Sequence, residues 1–99
     1  MHIITQRRLK EFWEKHPQAK PSLQIWYNRT KSGQWHNFND LRQIFKSADQ
    51  VGKLTVFNIS GNHYRLIALV DYQYQKVFIR DILTHKEYDT NNWKKDPWF

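Results

Sequence analysis

The sequence contains no cysteine, and this absence removes several kinds of chemistry at once. Disulfide bonds, thiolate metal ligands and cysteine nucleophiles are all excluded. Glycine is scarce as well, and its three copies are scattered along the chain. No glycine-rich loop is therefore available to wrap a phosphate group with backbone N–H donors.

Metal-binding clusters are also missing from the sequence. Acidic residues are few and mostly stand beside basic ones, whereas a metal-dependent nuclease needs clustered carboxylates to hold magnesium. His63 and His85 could be combined with a nearby aspartate in a zinc site, but no ligand pair has the spacing of a motif such as HExxH. We expect neither a metal site nor a cofactor.

Long apolar runs do not occur in this chain. The longest uninterrupted one extends from Leu66 to Val70, far short of the roughly 20 residues of a membrane-spanning helix. The first residues, Met1 to Arg8, lack the apolar stretch of a secretory signal. We therefore expect a cytoplasmic protein with no membrane association.

Positive charge is what the chain has in excess. Its formal net charge is +7 over 99 residues, which favours a polyanionic partner, most commonly nucleic acid. The basic residues are spread along the chain in runs no longer than two, so a solvated basic surface or an acidic protein partner also fits this pattern.

Strand and helix patterns divide the chain into two halves. In the second half, strong strand formers alternate with polar residues and predict an antiparallel meander of three strands, Leu54 to Ser60, Tyr64 to Tyr72 and Lys76 to Thr84. In the first half, Ile3 and Ile4 predict a short strand. Thr5 can cap a first helix that runs to about His16, and a second helix runs from Pro21 to just before Gly33.

A short third helix is predicted to begin with Asn39 or Asp40 as its cap and to turn three apolar side chains inward, those of Leu41, Ile44 and Phe45. The polar tail from Thr90 to Phe99 predicts no independent element, although Trp93 or Trp98 could anchor it. The order of elements predicts one α+β domain spanning residues 1–99, with two to three N-terminal helices packed on one face of an antiparallel sheet.

The lengths of the two hairpin turns decide which side chains meet. Two-residue turns at Gly61-Asn62 and Gln73-Tyr74 place Asn58 opposite Arg65 and Arg80 opposite Ile67. One face then carries Asn58, Arg65, Ile67, Leu69, Phe78, Arg80 and Ile82. The opposite face is the better core and carries Phe57, Ile59, Tyr64, Leu66, Ala68, Val70, Val77, Ile79 and Leu83. A slip of one residue in the second turn would separate the two arginines.

These residues could support a reaction that needs no metal. The ribose 2′-hydroxyl of RNA can attack the adjacent phosphate if a protein aligns the oxygens, neutralises the phosphoryl charge and moves protons. Arg65 and Arg80 suit the phosphate, because a guanidinium grips two oxygens and stays charged. Proton transfer could fall to His85, or to Tyr88 or Lys86 if nearby cations favour loss of their protons.

Several polar and aromatic side chains could contact RNA without taking part in the reaction. Asn58 shares the face of Arg65, Asn62 lies in the adjoining turn, and His63 could reach the substrate or simply complete that turn. Three aromatic residues could stack on unpaired bases or belong to the core, Trp35, Tyr74 and Phe78.

The residues of the meander resemble those of a known family. The stretches FNISGNHYRLIALV, from Phe57 to Val70, and VFIRDILTHKEYD, from Val77 to Asp89, are similar to HigB-type toxins of the RelE superfamily. These toxins are the toxic halves of bacterial type II toxin–antitoxin pairs. The DLRQIF stretch before the meander adds to the likeness, which covers nearly the whole chain.

The resemblance implies a compact βααβββ domain that cleaves messenger RNA, typically in the ribosomal A site during translation. It also implies a cognate antitoxin, usually a helix-turn-helix protein. The phosphate-binding arginines of the family would correspond to Arg65 and Arg80, and its terminal polar cluster to His85, Lys86 and Tyr88. Lys53 would be a further candidate for contact with messenger or ribosomal RNA. RelE-like toxins differ in which residue is the general base and which the acid, so that assignment stays open.

Two alternatives fit the same residues. The chain could be a non-catalytic basic α+β module that binds RNA or an acidic protein. It could also be a degenerate toxin that is retained for its antitoxin complex. Replacing Arg65 and Arg80 separates an enzyme from a binder, because an enzyme loses turnover by far more than it loses binding, whereas a binder loses affinity in salt-sensitive steps.

Overall fold

The computed structural model describes all 99 residues, and its central element is a five-stranded sheet in the order β1-β5-β4-β3-β2. The strands are His2–Ile4 (β1), Asp49–Val51 (β2), Leu54–Ile59 (β3), Tyr64–Asp71 (β4) and Lys76–Thr84 (β5). β1 runs parallel to β5, and all other neighbours are antiparallel. The predicted α+β class is confirmed. The short edge strand β2 was not predicted, because its sequence is mostly polar.

Four helices complete the fold: Arg7–Lys15 (α1), Lys20–Ser32 (α2), Phe38–Ile44 (α3) and His85–Asp89 (α4). Two 3₁₀ turns lie at Pro17–Ala19 and Asn92–Lys95. The prediction for α2 is confirmed, since Pro21 lies in its first turn and Gly33 is its C-cap. The predicted caps of α1 and α3 were wrong. Gln6 precedes α1 without a capping hydrogen bond, and Asn37 caps α3 by accepting from the Asp40 N–H at 2.9 Å.

Helices α1, α2 and α3 cover one face of the sheet, which we call the first face. Sixteen buried residues form the core between these helices and the strands. Trp26 of α2 meets Phe57 of β3 edge to face at 5.5 Å between ring centroids, and Phe45 meets Phe57 at 5.0 Å. Burial of each such side chain stabilises the fold by about 2 kcal/mol. The prediction that the helices pack on one sheet face is confirmed.

The structure decides the position of two apolar residues around this core. Trp35, for which the sequence left base stacking and a core position open, is only 4% exposed and packs within the core. Ile44 was predicted to face inward, yet it is 47% exposed, because Leu41 and Phe45 occupy the inward positions of α3 and its C-cap.

The opposite, second face of the sheet is covered by the segment from α4 to Phe99. Its core is a cluster of only five buried residues, Leu54, Val56, Ile67, Leu83 and Trp93. Trp93 lies in the second 3₁₀ turn and is 6% exposed, so it anchors the tail as one of the two tryptophans considered for that role. The tail thus forms a regular turn where none was predicted.

The register of the first hairpin is as predicted, with Asn58 opposite Arg65. The second hairpin also begins in the predicted register, but a β-bulge between Ile67 and Ala68 then shifts it, so that Ile67 lies opposite Asp81 instead of Arg80. The shift reverses the alternation beyond it. Ile82 therefore joins the core of the first face and Leu83 that of the second, the reverse of the prediction.

Candidate active site

A short helix brings the chemistry of the C-terminal segment to one end of the sheet. α4 follows β5 directly and is fixed by a capping box: the Glu87 N–H donates to Thr84 Oγ1 at 3.2 Å, and the Thr84 N–H donates to Glu87 Oε1 at 2.9 Å. The His85 N–H also donates to the His63 carbonyl oxygen at 3.0 Å. The β3–β4 turn and α4 therefore lie side by side.

Arg65 is the buried cation at this junction, with 8% of its surface exposed. Its Nη1 donates to the carbonyl oxygens of Tyr64 at 3.1 Å and Asn62 at 3.3 Å, and its Nη2 donates to Asn62 Oδ1. The guanidinium carbon lies 5.3 Å from the centre of the Tyr88 ring. Arg65 is therefore held in one orientation, between the β3–β4 turn and α4.

Tyr88 is sandwiched between this guanidinium and the indole of Trp93. The two rings are stacked at 5.2 Å with an interplanar angle of 13°, and Trp93 Nε1 donates to the Tyr88 carbonyl oxygen at 3.1 Å. Burial raises the pKa of Tyr88, and Asp49 and Asp89 raise it further, against the opposing charge of Arg65. The hydroxyl therefore keeps its proton at neutral pH, and the condition for Tyr88 to act as a base, a pKa lowered by nearby cations, is not met.

His85 and Asp89 form a pair on the exposed side of α4. His85 Nδ1 and Asp89 Oδ2 are 2.9 Å apart, and the two side chains are 45% and 60% exposed. Because Nδ1 is engaged, the other ring nitrogen, Nε2, is the one free to exchange a proton with a substrate. Lys86 is exposed on the same helix, and His63 is exposed on the neighbouring turn.

Arg80 lies in different surroundings. Its Nε and Nη2 donate to the two carboxylate oxygens of Asp96, both at 2.9 Å, and its guanidinium lies 3.9 Å from the Trp98 ring. The hydrogen bond from Arg80 is the main cause of the lowered pKa of Asp96. The two arginines are therefore well separated on the sheet. Arg65 is paired with Leu83 of β5, and Arg80 lies three residues before Leu83, or about 10 Å away along the strand.

The structure therefore places the predicted site residues in three groups. Around the turn and α4 it brings together Asn58, Asn62, His63, Arg65, His85, Lys86 and Tyr88. Arg80 contacts the C-terminal segment farther along the second face, paired with Asp96. Lys53 lies in the β2–β3 turn at the other end of β3, where its N–H donates to the Phe99 carbonyl oxygen at 3.3 Å.

Sequence reasoning missed two carboxylates that shape this region, Asp89 and Asp96, and it named Trp93 and Trp98 only as possible anchors of the tail. The spacing of four between His85 and Asp89 is a helical signal that could have revealed their contact. The pairing of Arg80 with Asp96 carries no local signal, because it depends on the path of the tail across the sheet.

No group of three or more His, Asp or Glu side chains is arranged to hold a metal ion. None of the helices combines the length and the apolar character that a membrane crossing requires.

Comparison with known proteins gives the class of the fold and site. A family model described as HigB_toxin, the RelE-like toxic component of a toxin–antitoxin system, matches residues 19–91. These residues include the β3–β4 turn, Arg65, Arg80 and all of α4.

Individual relatives agree with this match. The mRNA interferase toxin HigB of Escherichia coli K12 is 41% identical over 92 residues, which cover 90% of this chain and 88% of the relative. The mRNA interferase HigB of Shigella flexneri gives the same values. The mRNA interferase HigB of Escherichia coli O6:H1 strain CFT073 is 28% identical over 92 residues, which cover 90% of this chain and 89% of the relative. The chain belongs to the HigB toxin family.

Proposed function

We propose that this toxin is an mRNA interferase, an endoribonuclease that cuts messenger RNA by metal-independent attack of a 2′-hydroxyl on the adjacent phosphate. The observation that carries the proposal is the fixed position of Arg65 between the β3–β4 turn and α4, in contact with Tyr88. The names of its HigB relatives as mRNA interferases support the same substrate. The 99 residues act as one domain.

Arg65 neutralises the charge that develops on the phosphate. A guanidinium has five N–H donors, and the contacts with Asn62 and Tyr64 use three of them. The two others remain for the phosphoryl oxygens, and the low exposure of Arg65 strengthens their interaction. Asn62 keeps the fork oriented before the substrate arrives, so little reorganisation accompanies the reaction.

The proton transfers are divided between α4 residues. His85 Nε2 takes the proton of the 2′-hydroxyl as the bond between this oxygen and phosphorus forms, and Asp89 stabilises the resulting imidazolium through Nδ1. Tyr88 gives its proton to the 5′-oxygen as the phosphorus–oxygen bond breaks, because its raised pKa keeps it protonated. Lys86 adds positive charge. The products are a 2′,3′-cyclic phosphate and a 5′-hydroxyl.

The other candidates bind the RNA chain beyond the reacting phosphate. Asn58, Asn62 and His63 lie beside Arg65, whereas Arg80 lies farther along the second face and Lys53 lies in the β2–β3 turn. The substrate is a message in the ribosomal A site, where the net charge of +7 favours contact with ribosomal RNA. A cognate helix-turn-helix antitoxin controls the toxin, and the protein works in the cytoplasm.

A substrate that lacks the nucleophile tests this proposal. A message with a single 2′-deoxynucleotide at the mapped cut should resist cleavage on programmed ribosomes, while the all-ribose message is cut. The same messages without ribosomes measure the dependence on translation. Cleavage of the deoxy-substituted message at the same bond and rate would contradict the proposed chemistry, since attack by water does not need the 2′-hydroxyl.

A further inference from the structure

A shallow groove lies between α2, α3 and the β3–β4 turn, next to the candidate active site. We propose that this groove binds the cognate antitoxin through an acidic segment with aliphatic side chains. The inference depends on membership of a toxin–antitoxin family and on the partner that this membership implies. It does not depend on the nuclease mechanism.

The groove has a volume of about 510 Å³ and contains both exposed isoleucines of the chain's surface. Ile25 of α2 is 52% exposed and Ile44 of α3 is 47% exposed. The other large exposed apolar side chains are aromatic and lie elsewhere, Tyr74, Trp98 and Phe99. Single exposed apolar residues are common, but two that share one concave site indicate a surface that a partner covers.

Neither isoleucine contributes to the core of its own helix. On α2 the buried positions belong to Leu23 and Trp26, at 0% and 1% exposure. On α3 the position of Ile44 would suit a polar residue, since Leu41 already fills the core at 0% exposure. Each isoleucine therefore leaves apolar surface that a binding partner can bury.

The charge of the groove selects among partners. Its twelve lining residues include two cations, Arg29 and Lys46, and no acidic residue. An acidic segment is therefore attracted, whereas a second copy of this chain, also at +7, is repelled. RNA is a poorer fit, because unpaired bases stack on aromatic rings and the exposed apolar groups here are aliphatic.

The groove adjoins the candidate active site and shares Asn58 with it. Ser60 and Gly61 of the β3–β4 turn form one wall, and Ser60 Oγ is 2.8 Å from Ser22 Oγ of α2. The same turn continues into Asn62, which holds Arg65. A bound segment would therefore contact the turn that orients the candidate catalytic arginine.

Charged substitutions in the groove test the proposal directly. We expect the double variant Ile25→Glu with Ile44→Glu to bind the purified cognate antitoxin about 100-fold more weakly, because two buried contacts are lost and acidic groups are repelled. Tyr74→Glu is the matched control, since Tyr74 is 66% exposed on the β4–β5 turn, and it should keep the wild-type Kd. Isothermal titration calorimetry gives the Kd, and thermal unfolding shows that both variants fold.

Milder variants and an assay in cells test the proposal even if the glutamate double variant does not fold. Ile25→Ser with Ile44→Ser should weaken binding about 10-fold, and Arg29→Gln with Lys46→Gln should slow association and reduce its salt dependence. In cells without antitoxin, the isoleucine variants should arrest growth as the wild type does, but the antitoxin should no longer rescue them. Unchanged antitoxin affinity in the serine and glutamate variants would overturn the proposal. So would variants that keep their antitoxin affinity but lose self-association or RNA binding.

Discussion

The two faces of the sheet are held in different ways. The first face is covered by three helices over sixteen buried residues, whereas the second is covered by one five-residue helix and a tail over five. The second face also carries both strand arginines and the tyrosine of α4. Hydrophobic burial secures the first face, and specific polar and aromatic contacts secure the second. The candidate catalytic residues thus lie on the face with the smaller apolar core.

The largest expected difference lies within the second face, between the effects of replacing Arg65 and Arg80 on the rate of cleavage. Arg65→Ala should slow cleavage by about 10²–10³-fold, because it removes the cation held against the reacting phosphate. Arg80→Ala should slow it by only about 10-fold, since Arg80 is already paired with Asp96. Single-turnover cleavage on programmed ribosomes measures both rates. Equal losses in the two variants would show that Arg80 leaves Asp96 and binds the same phosphate.

Matched truncations compare the stability of the faces. Phe57→Ala in the first core should lower the free energy of unfolding by about 4 kcal/mol, because it leaves a cavity among fixed helices. Leu83→Ala in the second should lower it by about 2 kcal/mol, since Leu83 is 9% exposed and the tail above it can adjust. Urea denaturation gives both values. The proposed difference between the faces would be contradicted if Leu83→Ala lowered the free energy of unfolding as much as Phe57→Ala does.

The stack of Trp93 on Tyr88 is expected to matter for turnover. Trp93→Leu keeps apolar volume but loses the stacked ring, and should lower kcat about 10-fold with little change in KM, whereas Trp93→Phe should retain most activity. In a Tyr88→Phe background the leucine change should have no further effect on kcat, because the hydroxyl that it positions is already gone. Additive losses would assign Trp93 a purely structural role.

The ion pair of Asp96 should give the smallest effect, visible in the pH dependence of stability. The pKa of Asp96 is lowered in the folded state, so its contribution is present above the unfolded pKa of about 4 and is lost as the pH falls through the folded pKa. Asp96→Asn should lower the free energy of unfolding by about 1 kcal/mol at pH 7 and by less at pH 3.

Asp81→Asn is the control, because the pKa of Asp81 is shifted in the opposite direction to that of Asp96. Burial raises the pKa of Asp81, so its charged form disfavours folding and this penalty disappears as the pH falls. Chemical denaturation of both variants at the two pH values measures the difference. If Asp96→Asn lowered the free energy of unfolding as much at pH 3 as at pH 7, the loss of the ion pair with Arg80 would not explain the effect.

The sequence predicted the first face more fully than the second for a physical reason. Its helices carry local signals, such as Pro21 at the start of α2 and Gly33 after its end, and the Gly61-Asn62 turn set the register that pairs Asn58 with Arg65. The bulge in β5 was not predictable from apolar pattern, because the adjacent Ile82 and Leu83 satisfy either register.

Long-range contacts account for the rest of what was missed. The sequence grouped Arg65 with His85, Lys86 and Tyr88 in one candidate site, but it did not predict that the last three lie on a helix. The partners of Arg80 come from the tail, sixteen residues away for Asp96, and no periodic pattern reports where an irregular segment lies. Ile44 was misplaced because helical periodicity alone cannot distinguish a position that contacts the core from one that stays exposed.

The most direct test of the account is the chemical identity of the ends that the toxin leaves on a cleaved message. The geometry around Arg65, Tyr88 and His85 predicts an upstream fragment with a 2′,3′-cyclic phosphate, or the 3′-phosphate from its opening, and a downstream fragment with a 5′-hydroxyl. Mass spectrometry of the fragments distinguishes these from hydrolytic products. An upstream 3′-hydroxyl paired with a downstream 5′-phosphate would contradict the account.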